Sequence, residues 1–297
     1  FQLKEKEAMA TMTDLKEPKT IDTLVSDIYE MFTGEDHFPH DPAEFITLGK
    51  NVEELFHSRF NSVRGAPGLR MSNIGRPDRQ LWMDINDPSG KEAIPPPTYI
   101  KFAYGDLIEQ MLLLYCKMTG HKVEQEQAEV EVGGVKGHID AIIDGVLVDV
   151  KSASSYSFQK FKSGAIFEGN GRNDAFGYIG QLCGYMEATG CERGGFLVAD
   201  KTLGSLCFCE IPKEVFEAYK VRDRIEHIKE VVASKDPPAK CYADVPDGKS
   251  GNMKLDVGCS YCGHKFKCWP GLQVFAYSTG PRYLTKVVRQ PRVDHFE

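Results

Sequence analysis

The stretch KGHIDAIIDGVLVDVKS, residues 136–152, sets Asp140, Asp149 and Lys151 among Ile, Val and Leu in a pattern that otherwise reads as buried strand. Side chains two apart on a strand share a face, so Asp149 and Lys151 point one way while Val148 and Val150 point into apolar packing. Asp144-Gly145 is a two-residue hairpin signal, and a turn there brings Asp140 nearly opposite Asp149. Two carboxylates side by side repel unless a cation lies between them. Oxygen ligands of this kind suit Mg²⁺ or Mn²⁺. Lys151 is then placed to orient an attacking water or to offset negative charge in a transition state. A plain Asp–Lys surface ion pair on a one-sided sheet is the competing reading. His138 shares the Asp140 face, and is expected behind the ligands rather than among them.

These residues need elements to hold them. IDTLVSDIYEMFT, 21–33, places Ile21, Leu24, Ile28 and Met31 on one helical face, with Gly34 as a stop. GEDHFPHD is expected to be a polar loop in which His37 and His40 are solvated. Asp41-Pro42-Ala43-Glu44 resembles a helix start with a capping box, leading into a helix that carries Phe45, Leu48, Val52, Leu55 and Phe56. The Gly- and Pro-rich segment 65–97 reads as a connection with a short helix near Arg79–Met83. YGDLIEQMLLLYCKMTG is helical, with Leu107, Met111 and Leu114 on one face. AEVEV, GVKGHIDAII and GVLVDVKS follow as strands, then the helix DAFGYIGQLCGYMEATG, the strands GGFLVAD and SLCFCEI, and an amphipathic helix over 214–234. The order α, β, β, β, α, β, β predicts an α/β core flanked by helical additions.

Glu109 stands out as a carboxylate in the helix before the strands, although a lone Glu on a helix is ordinarily a solvated residue. Gln181 and Tyr185 lie one turn apart on the later helix. Together, Gly105-x3-Glu109, Gly137-x2-Asp140, Asp149-x-Lys151 and Gln181-x3-Tyr185 occur in the order and spacing of the RecB-like nucleases of the PD-(D/E)xK superfamily, which residues 99–212 resemble. The resemblance implies a restriction-endonuclease-like core, a central mixed sheet flanked by helices. It also implies a Mg²⁺- or Mn²⁺-dependent enzyme that hydrolyses DNA phosphodiesters with metal-activated water. Glu109, Asp140, Asp149 and the Val150 carbonyl would be the metal ligands and Lys151 the catalytic lysine. Gln181 and Tyr185 would support the site and the DNA backbone. Several RecB-like enzymes carry His where this chain has Glu109, and the lambda-exonuclease-like branch carries Glu.

GCSYCGHKFKCWPG gives Cys259-x2-Cys262-x5-Cys268, a metal-ligand spacing. Its position after the core resembles the iron–sulfur nucleases, the CRISPR-associated RecB-like exonucleases and AddB. In those a fourth cysteine precedes the core, and SNIGRPDRQLW matches that segment at Ser72, Gly75, Arg79, Leu81 and Trp82. Here Pro77 stands at the cysteine's place. Cys241 is the candidate fourth thiolate and His264 another, in a structural clasp for zinc or an iron–sulfur cluster. Cys116, Cys183, Cys191, Cys207 and Cys209 sit in apolar contexts and read as core.

The chain has 297 residues, 41% hydrophobic and 27% charged, enough for a sizeable core. Its three regions are expected at 1–98 (helical), 99–235 (nuclease-like core) and 236–297 (Cys-rich segment and basic tail). The net charge of −7 excludes a uniformly basic coat but not a local basic groove. No apolar run is long enough for a membrane span. FQLKEKEAMATM lacks the pattern of a secretory signal, and with clustered cysteines this points to a reducing, cytoplasmic setting. DNA is the expected partner, with Arg79, Lys160 and Lys162 as candidate contacts and Tyr156, Phe158 and Phe161 as neighbouring aromatics. Arg70 and Arg76, and Arg282, Lys286, Arg289 and Arg292, form further basic groups. The sequence leaves oligomeric state open. It favours an exonuclease of recombination, repair or phage DNA metabolism over a structure-specific or restriction-like endonuclease. A non-catalytic DNA-binding or assembly module would have no need of Glu109, Asp140, Asp149 and Lys151.

Overall fold

Alternation and β-branching make 146–153 the most strand-like segment of the chain. In the computed structural model, which describes residues 19–34, 41–61, 67–169 and 172–296, it lies at the centre of the main sheet. His37 and His40 fall outside the described residues. The strands of the first part are β1 (Val123–Glu124), β2 (Glu129–Val132), β3 (Val135–His138), β4 (Ala141–Ile143), β5 (Val146–Ala153), β6 (Gly194–Asp200) and β7 (Leu206–Glu210). The helices are α1 (Leu24–Thr33), α2 (Pro42–Asn61), α3 (Asp78–Asn86), α4 (Pro96–Met118), α5 (Ser155–Lys162), α6 (Tyr178–Thr189), α7 (Lys213–Tyr219) and α8 (Val221–Ala233). The main sheet runs β1-β4-β5-β6-β7, with β5 and β6 parallel and the other neighbours antiparallel. A mixed central sheet flanked by helices is therefore what the chain builds.

Each face of the sheet is covered. Leu147, Phe196 and Val198 pack with Phe158 and Phe161 of α5, Leu182 and Met186 of α6, and Ile225 and Ile228 of α8. Val148, Val150 and Leu197 pack on the other face with Leu24 and Ile28 of α1 and Leu112, Leu113 and Cys116 of α4. The buried stripe of α4 is thus Leu112–Leu114 and Cys116, whereas Met111, expected inside, is 38% exposed. Among the described residues no helix is long and apolar enough to cross a membrane.

Four local differences from the sequence expectation have physical causes. The stretch 134–143 is two strands, because β3 pairs with β2 in a separate ribbon and β4 pairs with β5. Alternation continues through the switch at Ile139-Asp140, so periodicity alone does not reveal it. Residues 155–162, assigned no element from the sequence, form a helix capped by Ser154, with Phe158 and Phe161 one turn apart in the core. The helix expected over 214–234 breaks at Lys220, which takes φ 48°. The segment after 240, expected to end in a basic tail, folds as β8 (Val245–Pro246), β9 (Met253–Lys254), α9 (Val257–Ser260), α10 (Lys265–Cys268), β10 (Gln273–Tyr277), β11 (Gly280–Lys286) and β12 (His295–Phe296). Its antiparallel sheet is ordered β12-β10-β11-β9-β8. Arg282 belongs to that sheet, paired with Asp247 at 3.0 Å and stacked 4.0 Å from the Tyr277 ring centre.

The turn between β4 and β5 has both central residues at positive φ, Asp144 at 51° and Gly145 at 81°, the pattern of a type I′ hairpin. Asp144 has a second role. Its carboxylate meets buried His121 Nδ1 at 2.7 Å and accepts the Lys122 N–H at 2.9 Å, while His121 Nε2 meets Asp27 at 3.0 Å. Asp144→Ala therefore removes a residue tolerant of positive φ and strands a buried imidazole nitrogen. The expected loss is about 2–4 kcal/mol in urea denaturation at pH 7, with Asp144→Asn losing less. Equal losses for both variants would contradict the role given to the turn.

Candidate active site

The β4–β5 ladder pairs Ala141 with Val148, so its continuation sets Asp140 opposite Asp149. Asp140 lies just past the end of β4, where the chain changes partners, and its Oδ2 accepts the Val150 N–H at 2.7 Å. In a strand a residue's N–H and C=O point to the same side. The Val150 carbonyl therefore faces the edge where Asp140 sits. Asp149 is buried, 1% exposed. Its Oδ1 has no hydrogen-bond partner, and its Oδ2 forms an ion pair with Lys151.

Glu109 joins this group from α4. Burial, and then the negative charges of Asp140 and Asp149, push its carboxyl up to about 8. Burial and Asp149 push Asp140 up to about 7. Lys151 goes the opposite way to an ordinary buried lysine. Burial lowers its affinity for the proton, but Asp149 and Asp140 outweigh burial and hold the ammonium above the usual lysine range. It is a fixed cation at neutral pH, unsuited to act as a base.

Two groups outside the sequence expectation complete the arrangement. Gln127, at φ 54°, donates its backbone N–H to the Asp140 carbonyl at 3.2 Å and its side-chain amide to Glu109 Oε1 at 2.7 Å. It ties the helical carboxylate to the strand break. Its only signal in the sequence is a polar run, EQEQAE, before a strand. Tyr178 lies at the start of α6 with its ring centre 5.0 Å from Lys151 Nζ.

The remaining expected residues divide. Tyr185 is buried, and its hydroxyl is pushed up to about 12, chiefly by burial and also by Asp149 and Asp140. Gln181 donates to that hydroxyl at 3.5 Å. Gly137 is glycine for a steric reason: a Cβ there would lie 2.5 Å from Met71 Cβ and 2.7 Å from Tyr185 Cε1. His138, expected behind the ligands, is instead exposed on β3 and lies 4.0 Å from Glu129. The break at Ile139-Asp140 separates its strand from the Asp140 edge. Lys160 is half-buried with its Nζ 5.2 Å from the Tyr156 ring centre, and Lys162 is exposed, both on α5. Arg79 does not face an open groove. It donates to Cys268 Sγ at 3.4 Å and to the Pro238 carbonyl, because α3 packs beneath the cysteine segment.

Cys241, Cys259, Cys262 and Cys268 line one cavity, together with Pro77, Arg79, Met83 and Trp269. Pro77, at the position where the resembling nucleases carry a cysteine, thus faces the same space. Burial, then Cys241 and Cys262, push the Cys259 thiol up to about 12. Burial and neighbouring thiols also raise Cys241 and Cys262. His264 turns away to Asp84, at 3.0 Å. As they stand, among the described residues, no three or more His, Cys, Asp or Glu side chains are grouped closely enough to hold a metal ion.

No family model matches the chain, and no curated protein matches it. Among solved structures the chain is similar to SSO0001, with TM-score 0.39 and 17% identity over 77% of this chain and 96% of that one. It is similar to an alkaline exonuclease, LHK-Exo, from Laribacter hongkongensis, with TM-score 0.39 and 18% identity over 61% and 93%. It is also similar to a phage-related exonuclease from Haemophilus somnus 129PT, with TM-score 0.38 and 15% identity over 59% and 96%.

The raised carboxyls have a consequence for stability. In the metal-free protein Glu109 and Asp140 hold protons that the unfolded chain has already lost, so folding is favoured at low pH and stability falls as pH rises from about 4.5 through 8. Glu109→Gln removes one of the charges. In EDTA at pH 8 it is expected to raise Tm, by roughly 2–4 °C for each kcal/mol of repulsion relieved, with the gain shrinking toward pH 5. A variant that melts below wild type at pH 8 would contradict this electrostatic picture.

Proposed function

We propose that the chain is a Mg²⁺- or Mn²⁺-dependent deoxyribonuclease, an exonuclease of recombination, repair or phage DNA metabolism. One observation carries the reading. Two carboxyls, Glu109 and Asp140, are driven above their ordinary range by burial and by neighbouring negative charge, beside buried Asp149, whose Oδ1 has no hydrogen-bond partner. Such an arrangement is costly for the protein alone and suits a hard divalent cation. Glu109, Asp140, Asp149 and the Val150 carbonyl are the groups that would hold it. When bound, the cation supplies the charge that acidifies water and neutralises a phosphodiester.

The chain's own residues do the rest. Gln127 orients Glu109, and the Val150 N–H fixes Asp140. Lys151, held protonated by Asp149, offers a cation to the negative charge that builds on the scissile phosphate. Tyr185, steadied by Gln181, closes the floor of the site. Lys160 and Lys162 provide phosphate contacts on the helix that follows the strand. Cys241, Cys259, Cys262 and Cys268 form the proposed structural clasp, for zinc or an iron–sulfur cluster. The four thiols face one cavity, and burial, then neighbouring thiols, raise the proton affinity of Cys241, Cys259 and Cys262, whose protons a bound metal would displace.

The test uses end-labelled linear single- and double-stranded DNA and closed circles with Mg²⁺, Mn²⁺ or EDTA. Linear DNA is expected to shorten only with metal, and circles to resist. Lys151→Met, which keeps the aliphatic stem, is expected to lose roughly 10²–10³-fold in rate. Nicking of circles would move the assignment to an endonuclease, and degradation in EDTA would overturn the metal-dependent reading. For the clasp, elemental analysis with the absorption spectrum separates zinc from iron. Stoichiometric metal that is lost in Cys259→Ala is the expected result, and the absence of both metals would contradict it.

A further inference from the structure

A row of aromatic rings leads out of the carboxylate cluster to the cysteine segment. It starts at Tyr178, whose ring lies beside Lys151 Nζ and is half-buried. On its inner side Tyr178 meets the core rings of Phe161 and Phe196, each 6.4 Å away. On its outer side stands Phe176, 5.5 Å between ring centres and inclined by 31°. Tyr261 comes next, 5.2 Å from Phe176 and inclined by 49°. Exposure rises along the row, to 44% at Phe176 and 65% at Tyr261.

These outer rings are rigidly mounted. The Asp174 carboxylate accepts the Tyr178 and Ile179 N–H groups at 2.9 and 2.8 Å, fixing the turn that carries Phe176. Gly177 in that turn, at φ 78°, lies so close to Gly75 that a Cβ on it would come 2.5 Å from the Gly75 carbonyl carbon. Tyr261 lies between Cys259 and Cys262, in a turn closed by the Cys262 N–H to Cys259 carbonyl bond at 3.1 Å. Two large rings thus stay in water on stiff supports, next to a site that holds a fixed cation. Arg76, in the loop packed against Gly177, keeps a partly exposed guanidinium, paired with Asp84 at 3.5 Å.

Resting on the nuclease reading, we infer that Phe176 and Tyr261 are a stacking platform for the unpaired bases of a single-stranded DNA end, which they steer toward Lys151. Bases in a duplex are already stacked on one another, so only an unpaired strand presents its faces to side chains. Aromatic rings accept any base, while the partly exposed guanidinium of Arg76 offers countercharge to the backbone phosphates. The cysteine segment then has a direct part in substrate binding, since it supplies the outermost ring.

Binding without chemistry tests this apart from catalysis. In EDTA, fluorescence anisotropy compares labelled oligothymidylate with an abasic strand of equal length. Wild type is expected to prefer the thymidylate strand about fivefold or more. Phe176→Ala, Tyr261→Ala and Tyr261→Leu, which keeps apolar bulk without a ring, should each lose that preference. Tyr261→Phe should retain it. With Mn²⁺, hydrolysis of methyl p-nitrophenyl phosphate, a phosphodiester without a base, should be unchanged in these variants. Equal affinity of wild type for both strands, or Ala variants that bind thymidylate like wild type, would overturn the inference. If base-dependent binding holds but no phosphodiester is cleaved under any metal, the platform stands and the nuclease reading falls.

Discussion

The repulsion among Glu109, Asp140 and Asp149 is the constraint around which this part of the molecule is organised. A sheet core of Val, Leu and Ile has no use for three carboxyls, and burial raises the cost of each charge. The protein meets that cost in three ways visible in the structure. Lys151 neutralises Asp149, the Val150 N–H steadies Asp140, and Glu109 and Asp140 keep their protons to higher pH than ordinary carboxyls. None of these satisfies Asp149 Oδ1. The arrangement is frustrated when only protein atoms are counted, and a bound divalent cation would turn the same repulsion into affinity.

The fold serves this cluster by bringing separate elements to the end of β4, beside the central strand β5. The Asp144-Gly145 turn sets the register that opposes Asp140 to Asp149. The switch from the β2–β3 ribbon to the main sheet frees Asp140 from a regular ladder, so its side chain turns to the Val150 amide. Helix α4 buries Leu112, Leu113 and Cys116 against the far face and carries Glu109 one turn earlier, where Gln127 holds it. Helix α6 approaches from the other face and brings Tyr185 and Tyr178. The cysteine segment packs on α3 through Arg79 and ends up alongside the turn that precedes α6.

Much of this was legible in the sequence because the relevant signals are short-range. Strand alternation and a two-residue turn suffice to pair Asp140 with Asp149, and the four spaced motifs point to Glu109, Gln181 and Tyr185. What stayed hidden depends on tertiary partners. His138 and Asp140 share a face only if 134–143 is one strand, and the change of partner strand at Ile139 has no periodic signature. Gln127 acts through a backbone bond to Asp140 and an unusual φ, neither encoded in a residue type. Arg79 reads as a phosphate contact until α3 is seen beneath the cysteines. The C-terminal sheet is built from short strands with Gly-rich turns, among basic residues that mimic a solvated tail.

The central claim, that the carboxylate cluster is a divalent-cation site, is tested most directly by calorimetric titration of the metal-free protein with Mn²⁺ in buffers of different ionisation enthalpy. With Glu109 near 8 and Asp140 near 7, ligation at pH 6.5 must displace protons, roughly one to two per ion, and the release must vanish well above pH 8. Binding that is lost in Asp149→Asn and accompanied by this release is the predicted result. Mn²⁺ binding without proton release at pH 6.5, or binding undiminished in Asp149→Asn, would contradict the account.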